Sequence, residues 1–397
     1  MSLQESNDIN RIPYGLLEFS DIRKQNMIYV DKTKMIAELA NQFTPLLFLR
    51  PKRFGKSLLV STLKSLFSNG LEYFRGLEIE KIWKEKKYKV VHIDFSSIAD
   101  SSAQEFERAL GERIIEEFNV KGKVNLYDGS RVRFPDMILY DIVSELPDWS
   151  VVLLIDEYDA PLTHHLANPE EQDEITGIIN SFLAVVKEYT GVFRLIFITG
   201  EVYAIPVSIF SGFNNYIDIS LDADFNTILG FTQNELSQYF DPYIANAAQI
   251  LNMSVDDIYK NLEKYYGGFK FSSDCEGFVY NPWSVLSFLK KSKDGFCNYW
   301  FDSGSVSSIL MNYLKTHDDI DLLGYCKEPI FADNYELSMR YEVTNIPLDI
   351  LLYQTGYLTI HPKSRVTNDL VVPNAEVEEG LSFLQRMANT MAVSPEK

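Results

Sequence analysis

Three apolar runs punctuate the chain, and each stops abruptly at polar residues. The first is Leu46, Leu47, Phe48 and Leu49, the second runs from Val151 to Ile155, and the third is Phe193-Arg194-Leu195-Ile196-Phe197-Ile198. Short runs without alternation predict strands covered on both faces, as in a parallel sheet. Between them apolar residues recur at helical spacing. Leu58, Leu59, Leu63, Leu66 and Phe67 follow the first run, and 104–120, 132–146 and Glu170–Tyr189 keep the same period. These predict helices, with a loop at 121–131 and an earlier helix at Thr33–Asn41. Right-handed crossovers then keep the sheet parallel.

From about residue 226 the pattern changes to short helices with strong end signals. Thr232 and Glu235 form a capping box for a helix expected to reach about Tyr239. Ser254 opens another that stops at Gly267-Gly268, and Asn281-Pro282 starts one that runs through Lys290. In the last portion Leu348–Gln354 reads as a helix broken at Gly356, followed by strands at Tyr357–Ile360 and Leu370–Val372 and a helix from about Ala375. Helix, hairpin and helix suggest a winged-helix-like module that contacts DNA, or a hairpin that only packs on its neighbours.

Chemistry gathers where the apolar runs end. After Leu49 comes Arg50-Pro51-Lys52-Arg53-Phe54-Gly55-Lys56-Ser57, which leads into a helical pattern. Strand, loop and helix, with Lys and a hydroxyl at the helix start, is the context of a phosphate-binding loop. Gly55 lets the backbone approach, Lys56 reaches the β- and γ-phosphates, and Ser57 holds Mg2+. Arg50 stands where the usual loop has its first glycine, so a helix N-terminus with surface lysines is the alternative. The second run ends in two adjacent carboxylates, Asp156 and Glu157, at the end of the sheet where ligands bind. Asp156 suits the Mg2+ shell and Glu157 the polarisation of a water. Thr199, at the tip of the third run, is the candidate γ-phosphate sensor, although threonine is also ordinary turn chemistry there.

With these elements in place the chain resembles the AAA-ATPase-like family, in which a P-loop ATPase is usually fused to a PD-(D/E)XK nuclease domain. The resemblance runs from about residue 12 to about 380. It rests on the Arg50–Ser57 loop and on Ile12-Pro13-Tyr14-Gly15, Tyr29-Val30-Asp31-Lys32-Thr33 and Ile155-Asp156-Glu157-Tyr158-Asp159. Ile209–Asn215, Gly230-Phe231-Thr232 and Tyr280-Asn281-Pro282-Trp283-Ser284 add to it. The family carries the same arginine at the loop start, so the resemblance makes Arg50 a variant Walker A residue and Asp156 and Glu157 a Walker B pair. It implies an α/β P-loop fold with an extra strand between loop and acid strand, placed at Tyr88–Phe95, followed by a helical lid. The expected divisions are an ATPase domain at 1–225, a lid at 226–345 and a hairpin segment at 346–397. ATP and Mg2+ are the implied cofactors. A homo-oligomer, and DNA or a protein partner at the C-terminal segment, are the implied assemblies. The chain stops at Lys397, just after Val372–Val377, where the family's nuclease domain would begin, and no strand of its tail carries an acidic residue followed by Glu-x-Lys, so nuclease activity is not carried over from the resemblance.

Composition narrows this picture. A hydrophobic share of 46% and a charged share of 23% describe an ordinary globular protein. No long apolar run or leader pattern stands out, so a cytoplasmic protein without membrane contact is expected. Lys and Arg number 37 against 56 Asp and Glu, a net charge of −19, which disfavours general binding to nucleic-acid backbones. The basic stretch Lys81–Lys89 reads more simply as a solvated helix end. Cys275, Cys297 and Cys326 lack metal-ligand spacing and read as idle thiols, and His164-His165 read as part of a loop. Met1-Ser2-Leu3 reads as a cloning remnant and the tail after Thr390 as disordered. The leading expectation is an ATPase with Glu157, Lys56 and Thr199 in the chemistry. The alternative is a nucleotide-bound regulatory switch that hydrolyses little and controls a partner acting on nucleic acid.

Overall fold

The computed structural model describes residues 11–99, 101–203, 213–275, 277–304, 306–317, 320–341 and 345–392. In chain order its strands are β1 (Leu46–Leu49), β2 (Lys89–Asp94), β3 (Tyr127–Asp128), β4 (Arg131–Val132) and β5 (Val151–Asp156). They continue with β6 (Phe193–Gly200), β7 (Ile217–Asp218), β8 (Ile330–Asp333), β9 (Thr359–Pro362) and β10 (Thr367–Val371). The expected parallel sheet is present, with five strands in the order β2-β5-β6-β1-β7, every pair parallel.

The unbroken apolar runs have a simple cause: the sheet is covered on both sides. Alternate residues of β1 and β5 feed two different cores. Leu46, Phe48, Val152 and Leu154 join a cluster that reaches the C-terminal half, while Leu47, Leu49, Leu153 and Ile155 face the other side. There the helices Ala103–Glu117, Pro135–Val143 and Pro169–Glu188 cover them, close to the expected spans. The strand between β1 and β5 in space is β6. The segment expected to be inserted there forms β2 and lies at the outer edge, because its register is set by pairing with β5 alone. The expected loop 121–131 contains part of the small β3–β4 hairpin.

The later caps hold. Thr232 accepts from the Glu235 amide in a full capping box, Ser254 caps Val255–Tyr266, and Asn281 caps Pro282–Lys290. The first of these helices does not stop near Tyr239 but runs from Gln233 to Leu251 through Pro242. Tyr243, Ile244, Ala247 and Ala248 are buried in a third core, and that packing outweighs the one hydrogen bond proline removes. In the last portion β10 pairs with both β9 and β8, so the hairpin gains a third strand from before residue 345. The closing helix continues from Ala375 to Ala392. Residues 1–3, 209–212 and 393–397, which carried earlier expectations, lie outside the described residues.

Candidate functional site

The loop between β1 and the helix Lys56–Asn69 begins as an extension of the sheet, with the Arg50 amide donating to the Gly200 carbonyl at 3.2 Å. It then turns through two residues with left-handed backbone, Arg53 (φ 69°) and Gly55 (φ 103°). An added Cβ at Gly55 would meet only Leu229 Cδ2, at 3.9 Å, so backbone conformation is what calls for glycine there. Gly55 is also the N-cap of the helix and offers no side chain to its first amides. Those amides point to the loop, as an anion cradle requires.

Lys56 is buried at 4% exposure, and its ammonium donates to the carbonyls of Arg50 (2.9 Å) and Pro51 (3.4 Å). It also lies 3.5 Å from Glu157. Burial pulls the Lys56 pKa down, but Glu157, Glu201, Asp159 and Asp156 together raise it above its ordinary value. Burial raises the carboxyl of Asp156, which Thr199 Oγ1 contacts as donor at 2.5 Å and to which Ser57 also hydrogen-bonds. Glu157 itself sits in left-handed backbone (φ 51°) at the tip of β5. The fold therefore brings Lys56, Ser57, Asp156, Glu157 and Thr199 to one place.

The other basic residues of the loop point elsewhere. Arg50 is 2% exposed and turned into the protein, donating to the carbonyls of Leu49, Ser220 and Phe225 between the rings of Phe48 and Phe271. Burial pushes its pKa down to about 10. Arg53 donates to Ser303 Oγ and its carbonyl and lies over Trp283. Phe54 meets Phe269 and Phe271 edge-on, and Pro51 packs where a Cβ at Gly356 would clash at 2.8 Å. Lys52 is partly exposed and lies 3.7 Å from Glu201.

Two acids not singled out by sequence reasoning also belong to the site. Asp159 is buried and accepts from the amides of Glu201 (2.9 Å) and Val202 (3.0 Å). Burial, then the neighbouring Glu157, raises its pKa to about 6. Glu201 is 5% exposed and raised by burial to about 7. Asp159 lies within the Asp-Glu-Tyr-Asp string, a signal that could have been read. Glu201 follows β6 with no pattern around it.

Beside Gly55 and Leu58 opens an apolar cavity of about 290 Å3. Its walls include Gly15, Tyr29, Lys32, Phe231 and Trp283, so four of the short segments that carried the family resemblance meet around it. Sequence alone assigned none of them a role. The histidines expected in a loop close a short helix instead, Ala160–His164 with His165 as its C-cap, because Pro161 stands in the first turn, where proline is tolerated. Among the described residues no group of three or more His, Cys, Asp and Glu could hold a metal ion, and the three cysteines form no disulfide. Also among the described residues, no helix is long and apolar enough to cross a membrane.

The match to the family model described as Predicted AAA-ATPase spans residues 13–210, which holds the loop, both acids of the β5 tip and Thr199. The chain belongs to the AAA-ATPase-like family. It is also similar to an uncharacterized protein in the vnfD 5′ region of Azotobacter chroococcum mcd 1. The two are 29% identical over 378 residues, 94% of this chain and 69% of that protein. The family span ends before Phe231 and Trp283, so part of the cavity wall in this AAA-ATPase-like protein comes from outside it.

Proposed function

We propose that this protein binds Mg2+·ATP at the Arg50–Ser57 loop and hydrolyses it slowly, with Glu157 polarising the attacking water. One observation carries the reading: Lys56 and Glu157, far apart in sequence, approach to 3.5 Å beside an uncapped helix N-terminus. The residues present fit the ligand. The amides from Gly55 onward and the Lys56 ammonium supply donors to a polyphosphate. The Ser57 hydroxyl and the Asp156 carboxylate supply the hard oxygen ligands Mg2+ prefers. When bound, the metal neutralises charge on the phosphates and orients them. Thr199, already within reach of Asp156, keeps that carboxylate in position. The backbone of the loop does the cradling, because the Arg50 and Arg53 side chains are committed elsewhere. The cavity beside Gly55 has the size and apolar walls for a nucleobase, with Tyr29, Phe231 and Trp283 as aromatic surfaces. The segments after residue 225 then act as a lid on the base.

The ion pair of Glu157 with Lys56 favours a second reading, a nucleotide switch with little turnover acting on a partner, because Glu157 must leave the lysine before it can work on water. Isothermal titration with ATP and a phosphate-release assay on wild type, Lys56→Ala and Glu157→Gln test both. Binding lost in Lys56→Ala, with turnover lost but binding kept in Glu157→Gln, supports the hydrolytic reading. Tight binding with no turnover in wild type supports the switch, and no nucleotide binding in wild type defeats both.

A further inference from the structure

The phosphate loop is held from the C-terminal half by contacts that nucleotide binding alone does not require. The Lys52 carbonyl accepts from Trp300 Nε1 at 3.2 Å, and Arg53 donates to the Ser303 carbonyl at 2.8 Å. The Ser303 hydroxyl in turn donates to the Trp300 carbonyl at 2.6 Å. The Lys52 ammonium rests 3.7 Å from Glu201 Oε2, and that same oxygen accepts from Ser307 Oγ at 3.1 Å. Ser307 is the N-cap residue of the helix Ser308–Thr316. A line of contacts thus runs from the loop through a buried carboxylate to a helix of the C-terminal half.

The two partners of the ion pair differ in freedom. Glu201 is buried and its Oε1 has no hydrogen-bond partner, whereas the Lys52 side chain is 31% exposed. At 3.7 Å the pair is an ionic contact without a hydrogen bond. A polyphosphate in the loop brings several negative charges close to Lys52 and competes with one carboxylate for it. We infer that Lys52 has two positions, on Glu201 and on the polyphosphate, and that its transfer loosens the Glu201–Ser307 link, so that loop occupancy reaches the helix Ser308–Thr316. This inference rests on the nucleotide-binding reading.

Losing Lys52 leaves Glu201 buried without its nearest cation. The groups around it are Lys52 from the loop, Lys56 from the following helix, Asp159 and Glu157 from beyond β5, and the Tyr357 hydroxyl. Its raised pKa, about 7 with Lys52 present, climbs further once Lys52 leaves, so Glu201 takes a proton from solvent when nucleotide binds.

The test uses the full chain with a non-hydrolysable Mg2+·ATP analogue. Hydrogen exchange of 299–316 is expected to rise when the analogue binds wild type. In Glu201→Gln it is expected to be high already and to change no further, and affinity should tighten roughly two- to fivefold as Lys52 is freed. Titration near pH 7.5 in buffers of different ionisation enthalpy is expected to show proton uptake in wild type and none in Glu201→Gln. Ser307→Ala, remote from the loop, should raise exchange of the helix without analogue while keeping the proton uptake. That variant decides the matter if Glu201→Gln does not fold. Analogue binding with unchanged exchange of 299–316 overturns the relay and leaves nucleotide binding standing. Absence of binding overturns both.

Discussion

Arg50 sits at the head of the loop proposed to bind phosphate, yet its charge is used inside the protein. Its guanidinium satisfies the Leu49, Ser220 and Phe225 carbonyls between two aromatic rings, and truncation would leave those acceptors dry and a void behind. Arg50→Ala is therefore expected to cost about 3 kcal/mol or more of stability. The folded fraction should keep nucleotide affinity better than Lys56→Ala does; denaturant melts beside titration calorimetry would show the opposite ranking if Arg50 touched phosphate. The buried carboxyls make a second prediction. Asp159, Glu201 and Glu376 have folded pKa values raised by burial to about 6, about 7 and about 8. Each binds its proton more tightly in the folded state, so the stability it contributes is fully present below the ordinary carboxylate range of about 4 and is lost as pH rises from there through the folded value. Unfolding by urea should show a more stable protein at about pH 6 than at about pH 8.5. Glu376, which accepts from Ser284 Oγ and the Trp300 amide at 2.8 Å each, should account for part of the slope. A Glu376→Gln protein with an undiminished slope would contradict that assignment.

At the scale of elements, the site depends on how the tips of β5 and β6 lock together. Asp159 accepts two amides just beyond β6, and the Tyr158 hydroxyl donates to the Val202 carbonyl at 3.0 Å. Gly200 lies between them, and an added Cβ would come to 2.5 Å from Tyr158 Cε1 and 2.6 Å from Asp159 Oδ1. Both groups are buried and tethered by those hydrogen bonds, so Gly200→Ala should destabilise by about 2 kcal/mol or more. Because the clash pries Thr199 from Asp156, nucleotide affinity should also fall; a variant that melts early yet binds normally would separate the two effects. Thr232→Ala, which removes one half of the capping box, should cost only about 1 kcal/mol in the same melts.

Across the whole molecule, one core joins the sheet to the C-terminal half. Phe48, Phe54 and Val152 share a cluster with Phe269, Trp300, Leu351 and Leu384. A fragment ending at residue 225 would expose Phe54, Phe225 and the Arg50 pocket to water. It is expected to be aggregated or partly unfolded, and a cooperative thermal transition from that fragment would refute this. The chain spans 69% of its Azotobacter chroococcum relative, and the same core continues to Ala388.

Local physics made much of this legible in advance. Uninterrupted apolar runs such as Val151–Ile155 announce strands covered on both faces, and Thr232, Ser254 and Asn281 announce helix starts, because those signals act over a few residues. The pairing of Lys56 with the β5 acids was likewise readable, since strand ends of one parallel sheet converge on one edge. Long-range packing decided the rest. It carried a helix through Pro242, placed β2 at the sheet edge, buried Arg50 away from the loop and drew Glu201 to Lys52. Those outcomes depend on which surfaces exclude water together, and residues hundreds of positions apart share that burial without any mark in the sequence near either one.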